Sequence, residues 1–310
     1  LQEAFPACWQ ELIALTFTRI SGYTPLSRVK DVWEKLDNVL KISPSCDPRN
    51  LSKTLVVVGG DRSAQQKVFQ YLSSQSRQLI YDLSFIYSYS DTVNLAEFGY
   101  NAEGAWLPQV NIALFSAMDT GLPVMIRAVP GSVRDVATLI GSLSEIDTSG
   151  SVLVLDRGFV SEKNEVLLQE ANIPFVLPQR RNSTRYNTRI HLTDHFFYHK
   201  RLIHAGSREV DGLVLYLYED ADLEVEEKKT LYRLMEKGEI DRETLNKRLK
   251  RAGRILILSS ISANPQEIYE LYKSRNLVET HFAAFKSLVQ ADKIYLRDDM
   301  AVFGHVFVGF

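Results

Sequence analysis

The sequence predicts a mixed α/β fold: a mixed sheet flanked by helices, preceded by a helical N-terminal region and interrupted by a long insertion. Three observations carry this expectation. First, three runs rich in β-formers, 78–89, 110–118 and 123–129, come in close succession. The turn Asp119-Thr-Gly-Leu122 joins the last two, as in an antiparallel meander. Second, helices and apolar strands then alternate over 135–177. Third, a long polar stretch separates that alternation from a further apolar strand, Arg254–Ser259, and a helix beginning at Asn264.

The 310 residues suffice for one large domain with an insertion, or for two domains. Hydrophobic residues make up 45% and charged residues 24%, an ordinary soluble composition. The two cysteines, Cys8 and Cys46, give no disulfide framework and fit a reducing, cytoplasmic setting. No apolar run approaches the roughly 18 residues of a membrane span, so no membrane is expected among the partners. The chain starts at Leu1 and stops inside the apolar run 301–310, so both ends look cut. A net charge of −2 argues weakly against nucleic acid, although a local basic patch can still supply phosphate contacts.

Residues 1–78 read as helical, with apolar spacings of three and four over Val29–Leu40 and Ala64–Ser73. Residues 43–52 read as a turn-rich linker. Leu55-Val-Val-Val-Gly-Gly-Asp61 looks like a strand and turn. No Gly-Lys-Ser/Thr follows it, so a structural turn is preferred to a phosphate loop.

The strand 78–89 carries Asp82 inside an apolar run, where a carboxylate is costly unless paired or metal-bound. Asp61, Asp91 and Asp119 are competitors, but each lies at a turn, where Asp is common for local reasons. Residues 135–146 read as a helix with apolar Val136, Leu139, Ile140 and Leu143. The near-continuous apolar strand 151–155 is of the buried, parallel kind. It ends in Asp156-Arg-Gly-Phe159, an acid at a carboxyl edge where sites gather. A helix over 162–172, with Val166, Leu167 and Ala171 inward, leads to a strand over 173–177.

Between 179 and 208 seven Arg or Lys face one acid, Asp194. Arg180, Arg181 and Arg185 therefore offer a DNA-facing patch, with a solvated loop as the bland alternative. His191, His195, His199 and His204 fall in the same region, but the sequence around Phe196-Phe-Tyr198 looks extended, which disfavours a helical metal site. Val210–Glu219 reads as a strand. Residues 221–251 read as a charged helical pair broken at Gly238.

Residues 264–290 read as one helix, with Asn264 as cap and Pro265 at the first helical position. Leu277, Val278, Phe282, Phe285, Leu288 and Val289 form an apolar face. Tyr272, Arg275, Glu279 and Lys286 form a narrow polar stripe beside it. Taken alone, this stripe reads as a solvated ion-pair face, since Arg275 and Glu279 are four apart.

The spacing Tyr-x2-Arg-x3-Glu-x6-Lys at 272, 275, 279 and 286 resembles the signature of one branch of the DDE transposases of insertion sequences, the IS-four-like group. That resemblance implies an RNase H-like core with one acid in the first strand, one after the fourth and one in a late helix. Asp82, Asp156 and Glu279 stand at those places, and Ser84 resembles the family's small hydroxyl residue after the first acid. The 123 residues from Asp156 to Glu279 agree in length with the β-rich insertion that the resemblance implies at this point. The resemblance implies that the three acids hold magnesium or manganese, two ions in all, for cleavage at transposon ends and strand transfer into target DNA. It implies that Tyr272 and Arg275 contact a terminal phosphate and Lys286 the DNA backbone, with a homodimer assembled on double-stranded DNA. The expected division is a helical region over 1–78, a core over 79–178 and 254–310, and an insertion over 179–253. A stand-alone nuclease and a non-catalytic DNA-binding descendant are the alternatives. One departure is that no Trp follows Trp106, so Phe196, Phe197 or Tyr198 would have to stack on a flipped base.

Overall fold

A computed structural model describes residues 1–22, 24–36, 40–99, 106–133, 135–287, 293–294 and 296–310. The chain divides into two compact units. One comprises Leu1–Ser151 with Asn276–Phe310, and the other is the continuous segment Val152–Arg275.

The first unit opens with α1 (Trp9–Ile20), α2 (Val29–Trp33), α3 (Pro48–Gly60) and α4 (Arg62–Ser73). Helix α2 is much shorter than the spacing over 29–40 suggests, and 37–39 lie outside the described residues. The expected linker holds only as far as Asp47, and from Pro48 on its second half and the strand-like run form one helix, α3. Asp47 caps it by accepting from the Arg49 and Asn50 amides, and Pro48 takes the first position. Its buried side is Leu51, Thr54, Leu55, Val58 and Gly59, which leaves Val56 and Val57 outside. Asp61 then caps α4 through the Ala64 amide, so its acid has a local role.

Next come β1 (Gln78–Ser88), β2 (Glu97–Phe98), β3 (Pro108–Ala117) and β4 (Leu122–Pro130). The expected meander is present: β3 runs antiparallel to β1 on one edge and to β4 on the other. The short β2 continues the β4 edge at Gln109 and Pro108. Asp119, in the β3–β4 turn, accepts from the Ser76 hydroxyl and the Arg77 amide, tying the turn to the start of β1. Helix α5 (Asp135–Leu143) buries Leu139 and leaves Ile140 exposed.

The second unit holds β5 (Val152–Leu155), α6 (Glu162–Glu170), β6 (Phe175–Pro178), β7 (Asp194–Tyr198), β8 (Arg201–Val210) and β9 (Leu213–Asp220). It continues with α7 (Ala221–Glu236), α8 (Arg242–Leu249), β10 (Arg254–Ser259) and α9 (Pro265–Lys273). β5 and β6 pair in parallel, and β6, β10, β9, β8 and β7 follow as antiparallel neighbours. Helix α6 also differs from expectation. Its buried residues are Asn164, Glu165 and Leu168, while Val166 and Ala171 are exposed. The reversal at Gly238 (φ +72°) ends α7, as its sequence predicts.

The chain then returns to the first unit with α10 (Asn276–Ser287), β11 (Lys293–Ile294) and α11 (Asp299–Gly309). β11 runs parallel to β1, and α10 packs on β1 and β3. The apolar run at 301–310 lies in α11, which crosses α3 at two glycines. A Cβ on Gly59 would lie 1.7 Å from the Met300 carbonyl oxygen, and one on Gly304 would lie 2.0 Å from that of Leu55. No helix among the described residues is long and apolar enough to cross a membrane.

Candidate active site and nucleic-acid interface

The helix expected over 264–290 is two helices. Asn264 and Pro265 start α9 as the sequence predicts, with the Asn264 side chain accepting from the Gln266 amide. At its end the Ser274 hydroxyl donates to the Leu271 carbonyl, and the Arg275 amide donates to Tyr272 three residues back. The tightened last turn ends the helix, and α10 begins anew at Asn276. Tyr272 and Arg275 therefore belong to the second unit, and Glu279 and Lys286 to the first. Tyr272 lies in α9 and Arg275 just after it, whereas Glu279 and Lys286 lie in α10. Leu288 and Val289 lie outside the described residues.

In the first unit, Asp82 sits in the middle of β1, opposite Leu114 of β3, half-buried. Its carboxylate accepts from the Leu83 amide at 2.8 Å. Glu279 is exposed in the first turn of α10. Below it Val278, Phe282 and Phe285 are buried, the inward face that the sequence predicts. Lys286, one helical stretch further, places its ammonium 4.5 Å from the centre of the Phe85 ring, a cation–π contact onto β1. Nothing in the spacing pointed to His281. Its Nδ1 lies 2.7 Å from the Ser116 hydroxyl and its Nε2 lies 3.1 Å from the Gly121 carbonyl oxygen, which fastens α10 to β3 and the following turn. Burial lowers the His281 pKa, against the opposing pull of the Gly121 carbonyl.

In the second unit, Asp156 follows β5 and is half-buried. The Arg275 guanidinium forms an ion pair with its carboxylate. The next residue, Arg157, hydrogen-bonds the Tyr272 hydroxyl, and Tyr272 itself is only 7% exposed. Two of the four signature residues thus reach the same short Asp156-Arg157 turn. Arg180 is exposed, and it donates to the Arg157 and Gly158 carbonyls. Arg181 pairs with Glu227 at 2.5 Å. Arg185 forks onto both oxygens of the buried Glu165, at 2.7 Å each, and also reaches Gln179. Arg181 and Arg185 are therefore structural cross-links of this unit, which composition alone does not reveal.

The aromatic side chains also separate. Phe196 and Tyr198 pack with Tyr218 and Tyr269, whereas Phe197 is 68% exposed. The adjacent β7–β8 turn places His199 and Lys200 at φ +44° and +68°. Two non-glycine residues in left-handed backbone make this a strained hairpin tip. His195 and His204 face each other across β7 and β8.

Among the described residues no three His, Cys, Asp or Glu side chains converge as a ready metal site. The donor chemistry of Asp82, Asp156 and Glu279 nevertheless suits a hard cation, since all are carboxylates. For Asp156 a cation would have to displace or share the carboxylate with Arg275.

The sequence pattern of the family described as "Transposase DDE domain" matches residues 73–308. No curated protein sequence gives a significant match. In structure the chain is similar to a piggyBac transposase determined by cryo-electron microscopy as a synaptic complex with hairpin DNA, with a TM-score of 0.51 at 13% identity. That likeness covers 97% of this chain and 64% of the other, so the chain spans under two thirds of that transposase. At this identity the likeness shows the fold alone. A pre-cleavage Mos1 transpososome is more distant, with a TM-score of 0.22 at 9% identity over 48% of this chain and 50% of that one.

Proposed function

The chain belongs to the transposase DDE domain family, and on that premise we propose that it cuts DNA at the ends of a mobile element and joins the freed 3′ ends to target DNA. The observation that carries this reading is the extent of the family match, residues 73–308, which contains Asp82, Asp156 and Glu279. The roles proposed for these acids rest on their order along the chain, in β1, after β5 and in α10. They would hold magnesium or manganese as a pair of ions, which would activate the attacking oxygen and stabilise the leaving one. Lys286 and Arg180 would meet the DNA backbone, and Tyr272 and Arg275 a phosphate beside Asp156, where a guanidinium fork suits the anion. Arg181 and Arg185 would contribute positive potential while holding Glu227 and Glu165. The protein would act on double-stranded DNA as a homodimer in a prokaryotic cytoplasm. Residues 1–78 would be an N-terminal DNA-binding region, 79–178 with 254–310 the catalytic core, and 179–253 the insertion.

The test is a nicking assay with magnesium on a labelled element end, comparing the parent chain with Asp156→Asn and Glu279→Gln. Both variants should bind DNA and fail to nick it. Normal nicking by either correctly folded variant removes that acid from the site, and no nicking by the parent on any element end overturns the reading.

A further inference from the structure

The second unit contains a cleft of about 1170 Å³ that the sequence does not announce. It joins two segments distant in sequence: 180–187, and the Lys247-Arg-Leu-Lys-Arg251 run at the end of α8. Eight arginines and lysines line it against two glutamates. Both glutamates are already engaged, Glu227 by Arg181 and the Gly253 amide, and Glu226 by Arg201. The bland reading of α8 is a solvated charged face. It accounts for Lys247, which pairs with Glu243 one turn away. It does not account for Arg248 and Lys250, which are exposed, line the same cleft and make no ion pair among the described residues. Arg251 bridges the walls, lying 5.1 Å over the Tyr186 ring and reaching the Asn187 side chain. Arg157, next to Asp156, lines the cleft as well.

Arg254 is held by Glu219, but Arg248 and Lys250 still add positive charge beside Arg251, and such like charges repel one another unless an anion fills the space. The volume exceeds that of most small-molecule pockets, which favours a polymer. Arginines rather than lysines supply most of the charge, and their forked donors match phosphate oxygens. We propose that this cleft is a phosphate track for duplex DNA, in which Arg248, Lys250 and Arg251 grip the backbone of a strand that runs past Arg180 toward Arg157 and Asp156. The track rests on the reading that the chain acts on DNA, and it assigns α8 a part that the family spacing does not.

The test is fluorescence-anisotropy binding of a labelled duplex of arbitrary sequence to the whole chain over a salt series. Arg248→Ala combined with Lys250→Ala should weaken binding and flatten the slope of log affinity against log salt by about two contacts' worth. Between roughly 50 and 200 mM salt, the loss of affinity should then be about tenfold smaller than in the parent. The swap Arg248→Lys with Lys250→Arg keeps the charge and should retain the slope. Lys163→Ala, on the exposed side of α6, should also leave it unchanged. A double-alanine variant with the parent's slope overturns the track, and leaves the transposase reading standing if the parent still nicks. Equal losses in the alanine and charge-keeping variants also overturn it, because shape rather than charge would then matter. A cleft-dependent slope in a parent that never nicks DNA with magnesium supports the track and overturns the transposase reading.

Discussion

Arg275 neutralises Asp156: the last residue before α10 forms an ion pair with the residue that follows β5. Their side chains are 19% and 27% exposed, so water screens the pair and its loss should cost stability only about 1 kcal/mol. The larger effect concerns cations. Arg275→Ala leaves the Asp156 carboxylate open, so manganese should raise the melting temperature of the variant more than that of the parent. Thermal melts with and without manganese check this. Equal shifts would show that the guanidinium does not compete for the carboxylate.

A second ion pair is far less exposed. Arg127 is 4% exposed, bonds Glu145 and Gln65, and lies 4.7 Å over the Phe69 ring. Glu145→Ala strands a buried guanidinium and should destabilise the chain by about 3–5 kcal/mol. Glu145→Gln keeps an acceptor and should cost less. Urea denaturation measures both, and a loss for Glu145→Ala as small as that of a surface pair would mean that water reaches Arg127.

The crossing of α3 and α11 tolerates no side chain at its centre. Gly304→Ala would press a methyl into the Leu55 carbonyl and should cost about 2–3 kcal/mol. Gly141, inside α5 with open space around it, is the counterpart. Gly141→Ala should stabilise by about 0.5–1 kcal/mol through helix propensity alone. The two urea midpoints should move in opposite directions.

Acid should weaken the first unit through His305. Burial of the ring and the neighbouring Arg19 hold its pKa well below the ordinary histidine value. Arg19 donates to its Nδ1 at 2.7 Å, which needs the neutral ring. The unfolded chain takes up a proton near pH 6.5 and the folded one does not. The unfolded state thus binds more protons below about pH 6.5, and stability falls as pH drops through that value. His305→Asn should flatten the melting temperature against pH between roughly 6.5 and 5. A variant with the parent's slope assigns the acid sensitivity elsewhere.

The meander and the start of α9 were legible because their signals are local: runs of β-formers for β1, β3 and β4, and the Asn264-Pro265 pair for α9. Helix α3 was not. Its Val56-Val57-Val58 run favours a strand, yet the Asp47-Pro48 start and the α11 contact decide for a helix. The buried face of α6 was hidden because Glu165 goes inward to meet Arg185, and apolar periodicity cannot foresee a buried ion pair. At the candidate site, spacing picked out Tyr272 and Arg275, but their partners Arg157 and Asp156 lie more than a hundred residues earlier. The break at Ser274 depends on one hydroxyl turning back on its own helix, which many serines inside helices also do.

The division of the chain also bears on its synthesis. Val152–Arg275 is continuous, and once it has left the ribosome all of its strands and helices are available to fold. The other unit is split, and its α3 must wait for α11, which is made only after the whole intervening segment. Until then α3 lacks its contact with α11. Val152–Arg275 is therefore made in full before α3 can meet α11.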